Sequence, residues 1–267
     1  MNQNPASLPD PSPVPQNPEP IPTRQPTYIR MPSTQPTVTY ALIGITVVVY
    51  ILQMLSAALL GDSPYGIDWL TLYGARINDA IYAGEWWRLI TPVFLHGSVT
   101  HIFFNMYALF SLGTFLERHF GHGRFLMLYF LGAFAGNVLS FLFTDGYSVG
   151  ASTAVFGLVA AEVVFFYQNR GLFGSYARQA IGNAIFIIAI NLFIGLAPNI
   201  DNWGHIGGLL GGAMFAWFAG PRWTAIGIPP EMSLNDEREG REIFTGAALV
   251  ALLFGALAIW RLFSGTV

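Results

Sequence analysis

Ser152, His205, His101 and Asn105 are the residues whose types and positions point to chemistry in this 267-residue chain. A serine hydroxyl attacks well only when a neighbouring base takes its proton. A histidine with a pKa near 6.5 can take that proton and return it. Asparagine amides and histidine N–H groups donate hydrogen bonds to negative charge as it develops. Singly, each has a plainer explanation: a serine in a helix's first turn is a common cap, and a histidine near a helix end is usually a satisfied interfacial group. What matters is whether they reach one place.

The elements that must position them are membrane helices. The chain is 53 % hydrophobic and 10 % charged, against about 25 % charge in ordinary soluble domains. A bilayer core of about 30 Å takes about 20 helical residues. Seven stretches qualify, at roughly 37–60, 99–118, 124–144, 151–168, 180–197, 203–220 and 243–263. The fold class expected is therefore an all-α polytopic membrane protein. The second, fourth and sixth stretches all begin at the same membrane face, because an odd number of crossings precedes each. His101 and Asn105 lie in the first turns of the second, Ser152 in the first turn of the fourth and His205 in that of the sixth. Chance would scatter them over two leaflets, and polar residues at membrane depth are functional candidates by default.

Small residues let these helices approach. The sixth stretch reads Gly204-His205-Ile206-Gly207-Gly208-Leu209-Leu210-Gly211-Gly212, with Gly204, Gly208 and Gly212 on one stripe and Gly207 and Gly211 beside it. Stripes of this kind allow close backbone contact. Gly150, Ala154 and Gly157 are the small positions of the fourth stretch.

All twelve basic residues are arginine. Nine fall on the side of the N-terminus and three, Arg76, Arg88 and Arg261, on the other, which puts the N-terminus in the cytoplasm. Residues 1–36 hold eleven prolines and no apolar run of signal-peptide length, so they read as a disordered cytoplasmic tail. The connection 61–98 is long, amphipathic and aromatic, and reads as lying in the outer interface. Without cysteine there is no disulfide or thiolate metal site. The net charge of −3 speaks against nucleic acid as a partner.

Four motifs in order make the chain resemble the rhomboid family of intramembrane serine proteases. Gly150-Ala151-Ser152-Thr153 is similar to the family's Gly-x-Ser-Gly nucleophile motif. Gly204-His205-Ile206-Gly207-Gly208 with Gly212 resembles its Ala-His-x-x-Gly-x-x-x-Gly run. His96, His101 and Asn105 match its His-x4-His-x3-Asn pattern, and Trp87-Arg88 matches the Trp-Arg pair of its first outside loop. The resemblance covers residues 40 to 220. It implies a six-helix rhomboid core at 37–220, a cytoplasmic linker at 221–242 and an accessory seventh helix at 243–267.

The activity implied is cleavage of single-span membrane proteins near the outer membrane face, without cofactor or metal. Ser152 would be nucleophile and His205 base, with Asn105, His101 and the Ser152 N–H holding the oxyanion. Phe156 would stack on the histidine, and His96, Gly150, Trp87 and Arg88 would support the site. Lack of a transit or signal peptide favours a bacterial inner membrane. Thr153 departs from the motif's glycine, and its bulk next to the nucleophile opens a second reading: a catalytically impaired relative that binds transmembrane helices as chaperone or regulator. A metal hydrolase using His96, His101 and His205 lacks an HExxH pattern, and a transporter lacks repeated broken helices. Glu162, about ten residues below Ser152, reads as a buried carboxyl, and Glu117-Arg118 with His119 and His122 as an interfacial ion-pair cluster.

Overall fold

The computed structural model describes residues 31–198, 200–228 and 231–264. The tail as far as residue 30 lies outside the described residues. Seven long helices follow the expected stretches, with ends displaced by a few residues. They are α1 (Thr37–Leu60), α2 (Val99–Phe120), α3 (His122–Phe143), α4 (Ser152–Gln168), α5 (Ser175–Ile194), α6 (Asn202–Ala219) and α7 (Gly240–Ser264). Five are individually long and apolar enough to cross a bilayer. The exceptions are α4, whose 17 residues rise only about 25 Å, and α6, diluted by five glycines. The chain is an all-α polytopic membrane protein.

Lipid reverses the sidedness of a soluble helix. The outward face of α1 is apolar, with Ile45, Val48, Ile51, Leu52 and Leu55 exposed, while Thr39, Thr46, Gln53 and Ser56 are buried inward. Between helices there is no hydrophobic driving force, so closeness and hydrogen bonds decide the packing. The tightest seam joins α3, α4 and α6. A Cβ on Gly208 would stand 2.0 Å from the Thr153 carbonyl oxygen, and one on Gly212 2.2 Å from that of Gly157. On the adjoining stripe, a Cβ on Gly207 would meet the Ala135 carbonyl at 2.5 Å, and one on Gly211 the Ala135 Cβ at 2.4 Å. One stripe thus faces α4 and the other α3.

Around this seam the remaining helices are fastened locally. α5 packs chiefly on α4, and its C-terminal end is held where Asn202 Nδ2 donates to the Leu192 carbonyl at 3.0 Å. α7 lies along α3 and α6 through Gly246, Val250, Phe254 and Ala258, a stripe at four-residue spacing. α2 passes through a π-turn at Leu109–Gly113 where it crosses α1, and a Cβ on Gly113 would stand 2.9 Å from Thr39 Cγ2. At the end opposite Ser152, the buried Glu117 carboxylate accepts from Val38 N (2.8 Å), Thr39 N (2.7 Å), Thr39 Oγ1 (2.6 Å) and His122 Nδ1 (2.6 Å). The cluster read from the sequence thus caps α1 from a neighbouring helix, satisfying donors a helix start leaves free. Thr34 adds a bond from its amide to the Arg118 carbonyl.

The connection between α1 and α2 is made of short helical turns, including Trp69–Gly74, capped where Asp68 accepts from Thr71 N at 2.9 Å. Arg76–Ile77 pairs antiparallel with Tyr147–Ser148, tying this connection to the one before α4. Between α6 and α7, the stretch read as a linker holds a hairpin, Trp223–Ile228 against Glu231–Asp236. Arg124 on α3 anchors it through Asp236 at 2.5 Å. The first strand, Trp223–Ile228, lacks a regular apolar–polar alternation, whereas Glu231–Asn235 alternates strictly, a short signal that the reading as a linker passed over.

Candidate active site

Ser152 is the first residue of α4, so its amide is among those a helix start leaves without an intrahelical partner. Gly150, two residues before it, has φ +129°, a conformation that L side chains rarely adopt. Space demands glycine there as well: an added Cβ would stand 2.7 Å from His101 Nε2 and 3.7 Å from Asn105 Nδ2. The two expected oxyanion donors therefore converge on the turn that leads to Ser152. Asn105 Nδ2 at present donates to the His101 carbonyl at 3.2 Å within α2.

The glycine seam brings the first turn of α6 to the first turn of α4, where His205 Nε2 lies 3.1 Å from Ser152 Oγ. The His205 ring stacks on Phe156 with centroids 4.1 Å apart and planes at 8°. Phe156 is four residues beyond Ser152, so hydroxyl and ring share one face of α4 and hold the imidazole between them. His205 Nδ1 has no hydrogen-bond partner among the described residues.

His96 sits behind the turn. Its Nε2 accepts from the Ala151 amide at 3.4 Å, and its ring meets that of His101 edge-on at 5.0 Å. Burial first, and the neighbouring His101 second, hold its pKa down at about 3, against a raising hydrogen bond with the Phe94 backbone. It is thus a neutral acceptor near neutral pH. Trp87 and Arg88 lie farther out and brace the first connection. Trp87 Nε1 donates to the Tyr73 carbonyl at 3.0 Å, and the buried Arg88 donates to the Ala75 carbonyl at 2.7 Å and to Glu85 at 2.6 Å.

Thr153 points away from the oxyanion donors' turn and into the helix seam. A Cβ on Gly136 would stand 2.5 Å from Thr153 Cβ, and one on Gly204 3.2 Å from Thr153 Cγ2. Two glycines on neighbouring helices make its room. Glu162 is half-buried on α4, with no hydrogen bond or ion pair among the described residues. Among those residues no three His, Cys, Asp or Glu side chains group as metal ligands, and His205 is engaged by Ser152 and Phe156 instead.

Three residues escaped the sequence reading. Gln53 on α1 holds His96 by both main-chain groups, accepting from its amide at 3.1 Å and donating to its carbonyl at 3.4 Å. Arg76 is fully buried and donates to the Thr144 and Gly146 carbonyls at 3.0 Å each. Asp201 caps α6, accepting from Gly204 N at 3.0 Å. Only Asp201 carried a signal: an acidic residue just before a helix is an N-cap candidate.

Comparison with known proteins identifies the family. The Rhomboid domain family model matches residues 83–222, just over half of the chain. Rhomboid protease GluP of Bacillus subtilis (strain 168) is 39 % identical over 225 residues, 84 % of this chain and 40 % of GluP. RHOMBOID-like protein 9, chloroplastic, of Arabidopsis thaliana is 37 % identical over 151 residues, 56 % of this chain and 35 % of that protein. RHOMBOID-like protein 5 of the same plant is 34 % identical over 213 residues, 75 % of this chain and 67 % of that protein. The chain spans well under half the length of the first two. With the matched domain enclosing Ser152 and His205, the chain belongs to the rhomboid family.

Proposed function

We propose that the chain is an intramembrane serine endopeptidase that cleaves single-span membrane proteins near the outer end of their transmembrane segment. The observation that carries this reading is the 3.1 Å contact between Ser152 Oγ and His205 Nε2 at the mouth of the helix seam. Ser152 Oγ attacks the scissile carbonyl carbon while His205 Nε2 takes its proton. The carbonyl oxygen becomes an oxyanion, stabilised by the Ser152 amide and, once Asn105 turns from its own helix, by that side chain and His101. As the C–N bond breaks, His205 returns the proton to the departing amine. Water then attacks the acyl-enzyme by the same proton route and releases Ser152.

Substrate class follows from depth and access. Hydrolysis needs water, which the hydrocarbon core lacks, and the 17-residue length of α4, with Ser152 as its first residue, supports a nucleophile set just below the membrane surface. An intact helix hides its carbonyls in internal bonds, so a substrate must unwind, which favours small or helix-breaking residues there. Entry between α2 and α5 is supported by α5 resting chiefly on α4. The arginine bias supports a cytoplasmic N-terminus, and GluP's organism supports a bacterial cell membrane. The packing of Thr153 against Gly136 and Gly204 supports an active site over the helix-binding alternative.

The test is a fluorophosphonate probe on detergent-purified full-length protein, with Ser152→Ala and His205→Ala beside it. Labelling of the wild type that is abolished in both variants is the expected result. A folded wild type that stays unlabelled would sink the protease reading and leave the helix-binding one.

A further inference from the structure

The proposed mechanism uses a base with no carboxylate bonded to its second nitrogen, so what fixes His205 and the charge it acquires is open. Asp201 occupies the place from which both can be set. Its Oδ2 accepts a short hydrogen bond from Ser140 Oγ; its Oδ1 accepts from Thr144 Oγ1 at 2.9 Å and from Gly204 N at 3.0 Å. The Asp201 carbonyl accepts from His205 N at 3.2 Å. Ser140 and Thr144 are at the C-terminal end of α3, and Gly204 and His205 begin α6.

We propose that Asp201 is the positioning residue of this site, one carboxylate that fastens the segment carrying the base to the end of α3 and whose charge favours the imidazolium formed during attack. The inference rests on the protease reading above. Burial pushes the Asp201 carboxyl up, but the bonds from Ser140, Gly204 and Thr144 outweigh it and hold it below the usual carboxylate range. The group is therefore ionised wherever His205 works. A structural cap alone would need an acceptor at Gly204 N. It would not need two hydroxyls at the end of α3 turned onto it. The other titratable groups in reach are His101 on α2, facing His205, and Arg76 facing Asp201 with Asp145 nearby.

Asp201→Asn separates the two roles, because the amide oxygen still caps Gly204 while the charge is gone. The rate of fluorophosphonate labelling is followed against pH, and the titration of His205 by NMR of histidine-labelled protein, its signal assigned by loss in His205→Ala. Without the negative charge the imidazolium is less favoured, so the His205 midpoint and the acid limb of labelling move down by roughly one pH unit. The labelling rate on the plateau falls about threefold as the base weakens. Unchanged midpoint and rate overturn the proposal. Should the wild type not label at all, the protease reading falls, and the NMR midpoint alone decides on Asp201. Should Asp201→Asn not fold, Ser140→Ala tests the fastening: slower labelling with an unmoved midpoint supports it, and an unchanged rate overturns it.

Discussion

Asn105 is held by its own helix, its amide spent on the His101 carbonyl. Its contribution should therefore emerge only once negative charge develops beside it. Replacing it with alanine should lower kcat about 10²- to 10³-fold with KM little changed, measured on a single-span substrate, because the ground state does not use the side chain. His96 differs in kind, since its work is done in the resting state. Its pKa of about 3 lies well below the ordinary 6.5, so below pH 6.5 the unfolded chain binds a proton that the folded one refuses. Its stability contribution is whole above pH 6.5 and is lost as pH falls towards 3, with a limiting slope of about 1.4 kcal/mol per pH unit. Thermal melts of His96→Asn between pH 7 and 4 should show a shallower decline than wild type; an equal decline would mean that His96 contributes nothing to acid lability.

At the scale of elements, the α4–α6 contact sets the distance between hydroxyl and imidazole. A methyl on Gly208 has to push the Thr153 carbonyl from 2.0 Å to ordinary contact, which moves α6 or α4 bodily. Gly208→Ala should cost about 1–3 kcal/mol by overpacking and lose fluorophosphonate labelling even where the protein folds, as paired melts and labelling would reveal. Most of this was legible beforehand. The seven helices were written in apolar length, the common depth of Ser152, His205, His101 and Asn105 in parity, and the two glycine stripes in spacing. Which stripe meets which helix was not, because small residues advertise closeness without naming a partner. Thr153 shows the same limit: sequence sees bulk beside a nucleophile, whereas the compensating Gly136 and Gly204 lie on other helices. The partners of Gln53, Arg76 and Asp201 were hidden for a like reason, each acting across tens of residues through hydrogen bonds without periodicity.

Across the whole molecule, fastening is uneven. The inner pillar of α3, α4 and α6 is locked by backbone contact. α1 is pinned at one end by Glu117 and near the other by Gln53. α5 has little besides α4, with only 11 % of its apolar window buried. α7 lays Gly246, Val250, Phe254 and Ala258 along α3 and α6, closing the side of the pillar that α5 does not reach. Seen from within the plane of the membrane, the seventh helix therefore makes the molecule lopsided. One flank is covered by α7 and the other by the weakly held α5, so under the proposed function a diffusing transmembrane segment would meet a protein with a front and a back. Two copies joined back to back through α7 would keep both entrances open, whereas any assembly built on α5 would close them.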